Sequence, residues 1–284
     1  MPMILYDVTL RGVSMSSLAD EIIIRDIVEM PPTEDRLETK RAMHAGTRAS
    51  SVIRRTLPIK VVYVIRAYDS TKRAEIMDQI AQWVGTGGEM TISTRPGKRL
   101  FVKPDKTPRL ESSLKWTEDL ELTLTAYEQP YWEDAAETTN PKNESGSAYV
   151  NSVWSDAHQQ YIAATVIDVP GNVDKVPVCV AFYANGDDTL THIKLVADNT
   201  FFELENIEVG PGLFGGLVMI DYDNESDAFD TLRIYDVYND VSLMANRTAE
   251  SSDDLLVRCG HTNQLYAYAD APVAVTFSTR GRWL

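Results

Sequence analysis

Apolar and polar residues alternate along much of the first half of the chain, which is the period of a β-strand. Ile59, Val61, Tyr63 and Ile65 occupy every second position of one run. A second run, over residues 120–127, alternates apolar residues with Glu, Thr and Tyr, and this pattern is typical of a half-buried strand. Shorter strands are predicted over Glu21–Ile27, Met90–Ser93 and Arg99–Lys103.

One amphipathic helix is predicted over residues 69–84. Its apolar residues recur at i, i+4, i+7 and i+8, beginning at Ile76, and so form a single stripe. Asp69 or Ser70 can cap the first turn, because a side-chain oxygen accepts from a free backbone N–H there. Gly85 and two further glycines follow, and glycine tolerates the left-handed turn that ends a helix.

Residues 33–57 are polar, basic and poorly periodic, and they predict a long loop or arm. Loops of this length are uncommon in compact domains unless they bind something or are disordered. The segment carries six basic residues: Arg36, Lys40, Arg41, Arg48, Arg54 and Arg55. Nucleic-acid binding is one interpretation, but acidic residues dilute the charge and no aromatic residues are interleaved with it. Contact with another subunit is the alternative.

The second half shows short strand-like runs at the 8–12-residue spacing of a β-sandwich, with turn residues between them and no convincing helix. An antiparallel sandwich of jelly-roll or galectin-like type is therefore predicted. The predicted strands are Ala163–Ile167, Val176–Tyr183, His192–Val196, Thr200–Glu205, Leu217–Tyr222, Leu232–Val237, Asp254–Cys259, Gln264–Ala269 and Val273–Ser278.

The formal net charge of −15 is divided unevenly along the 284 residues. Residues 1–135 carry 19 Lys+Arg and 20 Asp+Glu, whereas residues 136–284 carry 8 and 22. This asymmetry predicts two domains with different surfaces, 1–135 and 161–284, joined by a polar linker over residues 136–160. It also argues against a nucleic-acid-binding second half, which would need a basic surface.

The two cysteines, Cys179 and Cys259, both lie in apolar runs and are expected to be small buried hydrophobes. A single disulfide between them is the alternative. No apolar stretch approaches the roughly 18 residues of a membrane-spanning helix. Residues 1–12 lack a basic segment followed by a long apolar one, so no signal peptide is predicted.

Two metal-site patterns occur in the second half, and both are incomplete. Cys259-Gly-His261 has no second Cys or His pair to complete a zinc site, so a structural turn is predicted. Asp221, Asp223, Glu225 and Asp227 match the first four ligand positions of a calcium loop. The sixth and twelfth positions of that loop would be Ser226 and Leu232 instead of Gly and Glu, so a solvated hairpin turn is predicted.

Sequence motifs of catalytic sites are weaker than these incomplete metal-site patterns. No Gly-x-Ser-x-Gly nucleophile motif is present. Gly85-Thr-Gly-Gly88 follows a helix instead of opening one, so it cannot place a phosphate at a helix N-terminus. No carboxylate pair stands out among the 22 acidic residues of the second half as a glycosidase pair. No catalytic, cofactor-binding or metal-binding residue is therefore predicted.

The order of these features resembles the phage distal tail (Dit) family of siphovirus tail components. The strand beginning Arg54-Arg-Thr-Leu-Pro precedes the helix KRAEIMDQIAQWV, and the first half closes on an alternating strand that runs into Pro130-Tyr-Trp132. In the second half the matching pieces are Met219-Ile-Asp-Tyr222, Gly260-His-Thr-Asn263 and the closing Val275–Leu284. Residues 31–57 and 134–160 match the family least.

The resemblance implies a structural virion protein with an N-terminal β-barrel-like domain containing one helix, and a C-terminal galectin-like sandwich. Family members form a six-fold ring at the tail tip. Their partners are the tail tube, the tail-associated hub protein and, through the outer domain, receptor-binding proteins. The resemblance implies no enzyme activity, cofactor, membrane insertion or sequence-specific nucleic-acid binding. Assembly in the host cytoplasm is implied as well.

Two other functions remain open at this level. A carbohydrate-binding module would fit the sandwich-like second half, and His261-x-Asn263 superficially echoes a galectin signature, although no Arg, Trp and Glu set completes it. A glycan hydrolase would need two carboxylates about 5–10 Å apart in one cleft.

Overall fold

The computed structural model describes residues 6–40, 47–105, 119–127, 129–142, 146–223 and 231–284, with the backbone alone over residues 34–40 and 47–54 and at residues 223 and 231. The chain divides into two compact units, Met1–Ala135 with Leu284, and Ala136–Trp283. The fold is mainly β with antiparallel sheets and, within the described residues, a single α-helix. The predicted fold class is thus confirmed, apart from the barrel-like character of the first unit.

The described residues of the first unit form nine strands, one helix and a short 3-10 turn at Met15–Ser17. In chain order they are β1 (Val8–Leu10), β2 (Val13–Ser14), β3 (Ile22–Glu29), β4 (Thr33–Lys40), β5 (Thr47–Ile65), α1 (Ser70–Val84), β6 (Gly88–Ile92), β7 (Lys98–Pro104), β8 (Leu120–Ala126) and β9 (Trp132–Asp134).

The main sheet of this unit has the order β2-β1-β6-β7-β8-β5-β3, with every pair antiparallel. In addition, β4 pairs with β5 and β9 pairs with β7. No pairing between described strands joins β2 to β3, so the sheet is open and the prediction of a barrel-like domain is wrong in this respect. Alternation along a strand identifies its buried face, but it says nothing about whether the sheet closes.

The predicted helix and its caps are confirmed. The Asp69 side chain accepts a hydrogen bond from the Thr71 N–H at 3.0 Å, and Gly85 ends the helix at φ 46°. The predicted stripe is buried, with Ile76 and Ile80 fully inaccessible. Helix α1 therefore supplies one hydrophobic face to the core of the first unit.

Residues 33–40 and 47–57 form strands instead of the predicted loop, and residues 41–46 lie outside the described residues. The two strands, β4 and the first half of β5, pair antiparallel from Thr33↔Thr56 to Lys40↔Thr47. The second half of β5 pairs with β3 on one side and β8 on the other. One strand of 19 residues therefore belongs to both the sheet and a two-stranded extension. We call this extension, β4 with residues 47–56, the hairpin arm.

The change of partner along β5 coincides with Pro58. Its carbonyl accepts a hydrogen bond from the Met30 N–H at 3.2 Å. A backbone N–H at position 58 would face the same side as this carbonyl, but proline has none. On that side the chain passes from β3 to β4 through Pro31 and Pro32, so no strand residue there needs a hydrogen bond from position 58. The prolines thus mark the boundary between sheet and arm.

In the second unit, the part of the chain that the structure describes forms fifteen strands and short 3-10 turns at Leu213–Gly215 and Met244–Asn246. The strands are β10 (Thr138–Thr139), β11 (Val150–Asn151), β12 (Val153–Ser155), β13 (Gln160–Val169), β14 (Lys175–Pro177), β15 (Cys179–Ala184), β16 (Leu190–Ala197), β17 (Thr200–Val209), β18 (Val218–Asp223), β19 (Thr231–Asp236), β20 (Val241–Ser242), β21 (Leu256–Arg258), β22 (His261–Ala269), β23 (Val273–Thr279) and β24 (Arg282–Trp283).

Two antiparallel sheets enclose the core of this unit, as the sandwich prediction requires. One sheet has the order β10-β23-β15-β18-β19-β20, with β11 also on β23, and the other has the order β12-β13-β22-β16-β17. A single buried cluster joins side chains from both sheets, including Phe182 and Phe277 from the first and Leu195 and Phe202 from the second. The predicted run Val176–Tyr183 is two strands, because β14 pairs with β21 whereas β15 pairs with β18 and β23.

The sequence predicted a linker over residues 136–160, and the described residues 136–142 and 146–160 form three short strands that pair within the second unit. Strands β10 and β11 lie along β23, and β12 pairs with β13. Between β10 and β11, Asn140 takes the place of a strand residue. Its N–H donates to the Phe277 carbonyl at 3.1 Å, and its Oδ1 accepts from the Phe277 N–H at 2.8 Å.

Candidate assembly surfaces and predicted sites

The hairpin arm is the most extended feature of the first unit. At about 3.3 Å per residue, β5 spans roughly 60 Å, about half of it outside the main sheet. The base of the arm is held by Thr33 and Thr56, whose hydroxyl oxygens are 2.6 Å apart. Within the described residues, β4 pairs with β5 alone, so its other edge offers unpaired backbone groups to a neighbouring chain.

The six basic residues predicted for this segment are only partly placed by the structure. Arg55 lies on β5 and is exposed. The backbones of Arg36, Lys40, Arg48 and Arg54 lie on the two strands of the hairpin arm, whereas Arg41 lies outside the described residues. The backbone register places Arg36 opposite Val52 and Arg48 opposite Thr39, so the basic residues are distributed along both strands.

The glycines at the end of α1 form a structural junction. The Arg11 guanidinium donates to the Trp83 carbonyl, placing a cation at the negative end of the helix dipole. The Trp83 indole N–H donates to the Val13 carbonyl at 2.9 Å. A Cβ at Gly87, whose φ is +88°, would lie 2.0 Å from the Val102 carbonyl oxygen, so only glycine fits there.

The candidate calcium loop falls mostly outside the described residues, which include neither Glu225 nor Asp227. Asp221 lies on β18 and already has protein partners. It forms an ion pair with Arg233 at 3.1 Å and accepts from the Tyr235 hydroxyl at 3.0 Å. Burial, and next the hydrogen bond to Asp221, raises the pKa of Tyr235. Asp221 thus acts as a cross-strand partner in the sheet.

The Cys259-Gly-His261 segment forms the turn between β21 and β22, as predicted. The side chain of Asn263 closes this turn: its Oδ1 accepts from the Arg258 N–H at 2.9 Å, and its Nδ2 donates to the Arg258 and His261 carbonyls, also at 2.9 Å. Asn263 is therefore a buried structural residue and does not serve the galectin-like role suggested by His261-x-Asn263. Both Cys179 and Cys259 are free, so the disulfide alternative is wrong.

A three-residue cluster on the outer face of the second sheet was missed from the sequence. Atoms of His192, Glu203 and Glu205 that could hold a metal ion lie within 4.8 Å of one another. Register explains the cluster, because β16 places His192 directly opposite Glu205 on β17. Glu203 already accepts from His192 at 3.0 Å and from Lys194 at 3.3 Å. An ion would therefore have to displace Lys194.

The same cluster bears on the glycosidase hypothesis, since it brings two carboxylates together. A general acid of a glycosidase needs a raised pKa. Partial burial opposes ionisation of Glu203, but hydrogen bonds from His192 and Lys194 outweigh it and lower the pKa. Glu203 is thus unsuited to the role of general acid.

A second feature missed from the sequence is a group of four aromatic residues in the second unit, which we call the aromatic patch: Tyr149, Tyr183, Phe214 and Tyr238. The rings of Phe214 and Tyr238 are 5.7 Å apart, and those of Tyr149 and Tyr183 are 5.2 Å apart. The signal in the sequence was the unusual group of glycines around Phe214, at positions 210, 212, 215 and 216.

Among the described residues, no helix is both long and apolar enough to cross a membrane. No family model matches the chain, and no curated protein matches it significantly.

Solved structures do match the fold. The SPP1 Dit protein, described as a paradigm of the hub adsorption apparatus in phages that infect Gram-positive bacteria, is 11% identical with a TM-score of 0.66. The match covers 97% of this chain and 98% of that one. Chains of the phage p2 baseplate in its activated conformation match with 8% identity and TM-scores of 0.51 with Sr and 0.50 with Ca, covering 97% of both chains. The resemblance seen in the sequence is thus confirmed at the level of fold, since the fold is similar to that of SPP1 Dit over nearly the whole length of the chain.

Proposed function

We propose that this chain is a structural protein of a phage tail tip, where it forms a six-fold ring that joins the tail tube to the hub. The observation that carries the proposal is the coverage of the SPP1 Dit match, which spans both units. A match of that extent supports the proposal more strongly than a match to one common sandwich domain would. The role is non-enzymatic, and the protein resides in the virion after assembly in the host cytoplasm.

The first unit, corresponding to a domain over residues 1–135, forms the ring in this proposal. A closed ring requires two different surfaces of one subunit to meet. The hairpin arm provides one such surface, because it extends beyond the main sheet and has an unpaired edge within the described strands. The near-neutral charge of residues 1–135 supports close contact between identical copies, which a strong like charge would oppose.

The second unit forms the outer part of the ring and docks receptor-binding proteins. Its sandwich has a complete hydrophobic core of its own, so it can fold as a separate module. Residues 136–284 carry 22 acidic and 8 basic residues, and this excess of negative charge suits a solvated periphery. The same charge disfavours contact with DNA, which supports the absence of sequence-specific nucleic-acid binding.

The test is the assembly state of the purified full-length chain, measured by mass photometry and negative-stain microscopy over a range of concentrations. Six-fold rings are the expected result, together with binding to the tail-tube and hub proteins of the same phage. A chain that stays monomeric at high concentration and binds neither partner would overturn the proposal.

A shortened variant tests the role of the hairpin arm. Residues 35–53 are replaced by Asn-Gly, a two-residue turn that joins the paired residues Glu34 and Arg54. The sheet pairings of β5 with β3 and β8 remain, so the variant should fold but fail to form rings. Phe214→Ala, a change to an exposed residue of the second unit, is the control that should still form them. Rings formed by the shortened variant would exclude the arm from the ring interface.

A further inference from the structure

The cluster of His192, Glu203 and Glu205 brings one imidazole and two carboxylates together on the outer face of the second sheet. Their candidate ligand atoms lie within 4.8 Å of one another. In the part of the chain that the structure describes, no other three His, Cys, Asp or Glu side chains meet in this way, although residues 136–284 contain 22 acidic residues. The cluster therefore reflects a specific arrangement and not the general acidity of the second half.

Two of the three atoms are already spaced as ligands of one ion would be. Nε2 of His192 is 3.0 Å from Oε1 of Glu203. Two atoms bound to one zinc ion at about 2.0–2.1 Å, at a tetrahedral angle, are about 3.3 Å apart. An ion between them takes the place of the shared proton, and His192 then binds through its Nε2 lone pair with its remaining proton on Nδ1.

Glu205 is available as the third ligand. Alternation along β17 puts Glu203 and Glu205 on the same face, and the pairing with β16 puts Glu205 directly opposite His192. The Glu205 side chain is exposed. Within the described residues its carboxylate forms no hydrogen bond or ion pair, so it can turn toward the other two ligands without breaking a contact.

The backbone under the cluster is fixed from both sides. Strand β16 pairs with β17 along one edge and with β22 along the other. The Asp270 carboxylate accepts from the N–H groups of Thr191 at 3.2 Å and His192 at 3.1 Å. On β17, Nδ2 of Asn246 donates to the Glu205 carbonyl at 3.0 Å. The positions of the ligands are therefore set by the sheet before an ion binds, which reduces the cost of ordering them.

Lys194 is the competitor for this site. Its Nζ lies 3.3 Å from Oε2 of Glu203, whereas His192 contacts Oε1, so the ammonium and the imidazole use different oxygens. The Lys194 side chain is 36% exposed, and ion pairs of such exposure are weak. Its ammonium also lies 4.2 Å from the centre of the Phe201 ring, a contact it can keep when it leaves Glu203. Lys194 therefore lowers the affinity for an ion without preventing binding.

The ligand set restricts which ion can bind. Calcium takes six to eight oxygen ligands, and magnesium requires a nearly ideal octahedron of oxygens, which one nitrogen and two carboxylates do not provide. An imidazole with carboxylates suits divalent transition metals. Zinc binds three protein side chains of this kind and completes its tetrahedron with water.

We propose that His192, Glu203 and Glu205 form a zinc site, with a water molecule as the fourth ligand. The bound ion links β16 to β17 and stabilises the second unit. The inference goes beyond the proposed function and does not depend on it, since all three ligands come from one sheet of one subunit and a ring could form with or without the ion.

The test titrates the full-length chain, free of any polyhistidine tag and treated with EDTA, with ZnCl₂ in a calorimeter. One ion per chain should bind and raise the Tm of the second unit. Glu205→Gln should weaken binding about tenfold or more, a loss that even an outer partner of a metal ligand causes. The matched control is Glu208→Gln, which changes another exposed carboxylate of β17 and should leave binding unchanged.

A third variant tests the position of the ion from the opposite direction. Lys194→Met removes the competing ammonium and keeps a side chain of similar length, so zinc should bind about two- to fivefold more tightly. Co²⁺ replaces zinc in a parallel titration, because its visible absorption reports tetrahedral coordination. CaCl₂ and MgCl₂ are the comparison salts and should bind far more weakly.

Four outcomes would overturn the inference. They are no zinc binding by the wild type, equal binding by wild type and Glu205→Gln, an equal loss in Glu208→Gln, and binding of calcium as tight as that of zinc. Zinc binding that is not strengthened in Lys194→Met would place the ion elsewhere on the chain and overturn it as well. Ring formation by the same samples separates failure of this inference from failure of the proposed function.

Discussion

The side chain of Asn140 should stabilise the second unit strongly, although the sequence places it in a polar linker. Strands β10 and β11 lie on either side of it along β23, and Asn140 fills the gap between them. The side chain is 1% exposed. Its Nδ2 donates to the Ala148 carbonyl, and its Oδ1 accepts from the Phe277 N–H. Asn140→Ala removes both contacts and keeps the backbone bond to Phe277.

The expected cost follows from these contacts. Loss of Oδ1 leaves the buried Phe277 N–H without its acceptor, at about 1–3 kcal/mol. Removing the bond to Ala148 adds about 1 kcal/mol. We therefore expect Asn140→Ala to lower the free energy of unfolding by about 2–4 kcal/mol. For a unit of this size, that corresponds to roughly 5–12 °C in Tm.

Calorimetry on the full-length chain measures this change, and hydrogen exchange locates it, since a two-unit chain can unfold in more than one step. Amides of residues 138–151 should lose protection first. The matched control is Asn185→Ala, which removes an exposed bond to Asn151 and should cost less than about 0.5 kcal/mol. If Asn140→Ala were as stable as the control, residues 136–151 would behave as a linker and the reasoning would be refuted.

Three further changes test other parts of the structure. Gly87→Ala should destabilise the first unit by about 2–4 kcal/mol in urea titrations, since its Cβ would clash with the Val102 carbonyl; wild-type stability would contradict that geometry. Trp83→Phe should cost about 1–3 kcal/mol in the same titration by leaving the Val13 carbonyl without its donor, and an unchanged midpoint would argue against this contact. Burial raises the pKa of Cys179 to about 12, above about 8.5 for an unfolded thiol, so its contribution to stability should be complete below pH 8 and decline between about pH 9 and 12. Urea midpoints at pH 8 and 10.5 measure this decline, which should be smaller in Cys179→Ala.

The sequence predicted elements well where one face of a strand or helix is buried. The alternation from Ile59 to Ile65 and the helical spacing from Ile76 follow directly from burial in a core, and both elements formed as expected. A two-stranded hairpin outside a sheet has little need of a buried face, so the hairpin arm left no alternating pattern. Its residues were therefore interpreted as a loop.

The sites were harder to predict because they depend on register and on loop geometry. His192 and Glu205 are thirteen positions apart in sequence, and only the pairing of β16 with β17 places them opposite one another. Similarly, Phe214 and Tyr238 come from separate loops whose positions depend on hydrogen bonds to Ala184 and Asp236. Neither dependence is visible as a local motif.

The continuity of β5 constrains how this protein can evolve. The register of β4 on β5 shifts by one residue between Thr33 and Glu34 and again between Leu37 and Glu38, so β5 has one extra residue at each of these points. Such irregularities absorb single-residue changes in the arm without turning Ile59 and Val61, which are fully buried, away from the core. Relatives that adapt to a different neighbour should therefore vary in the hairpin arm and keep the alternation of buried residues in the core portion of β5.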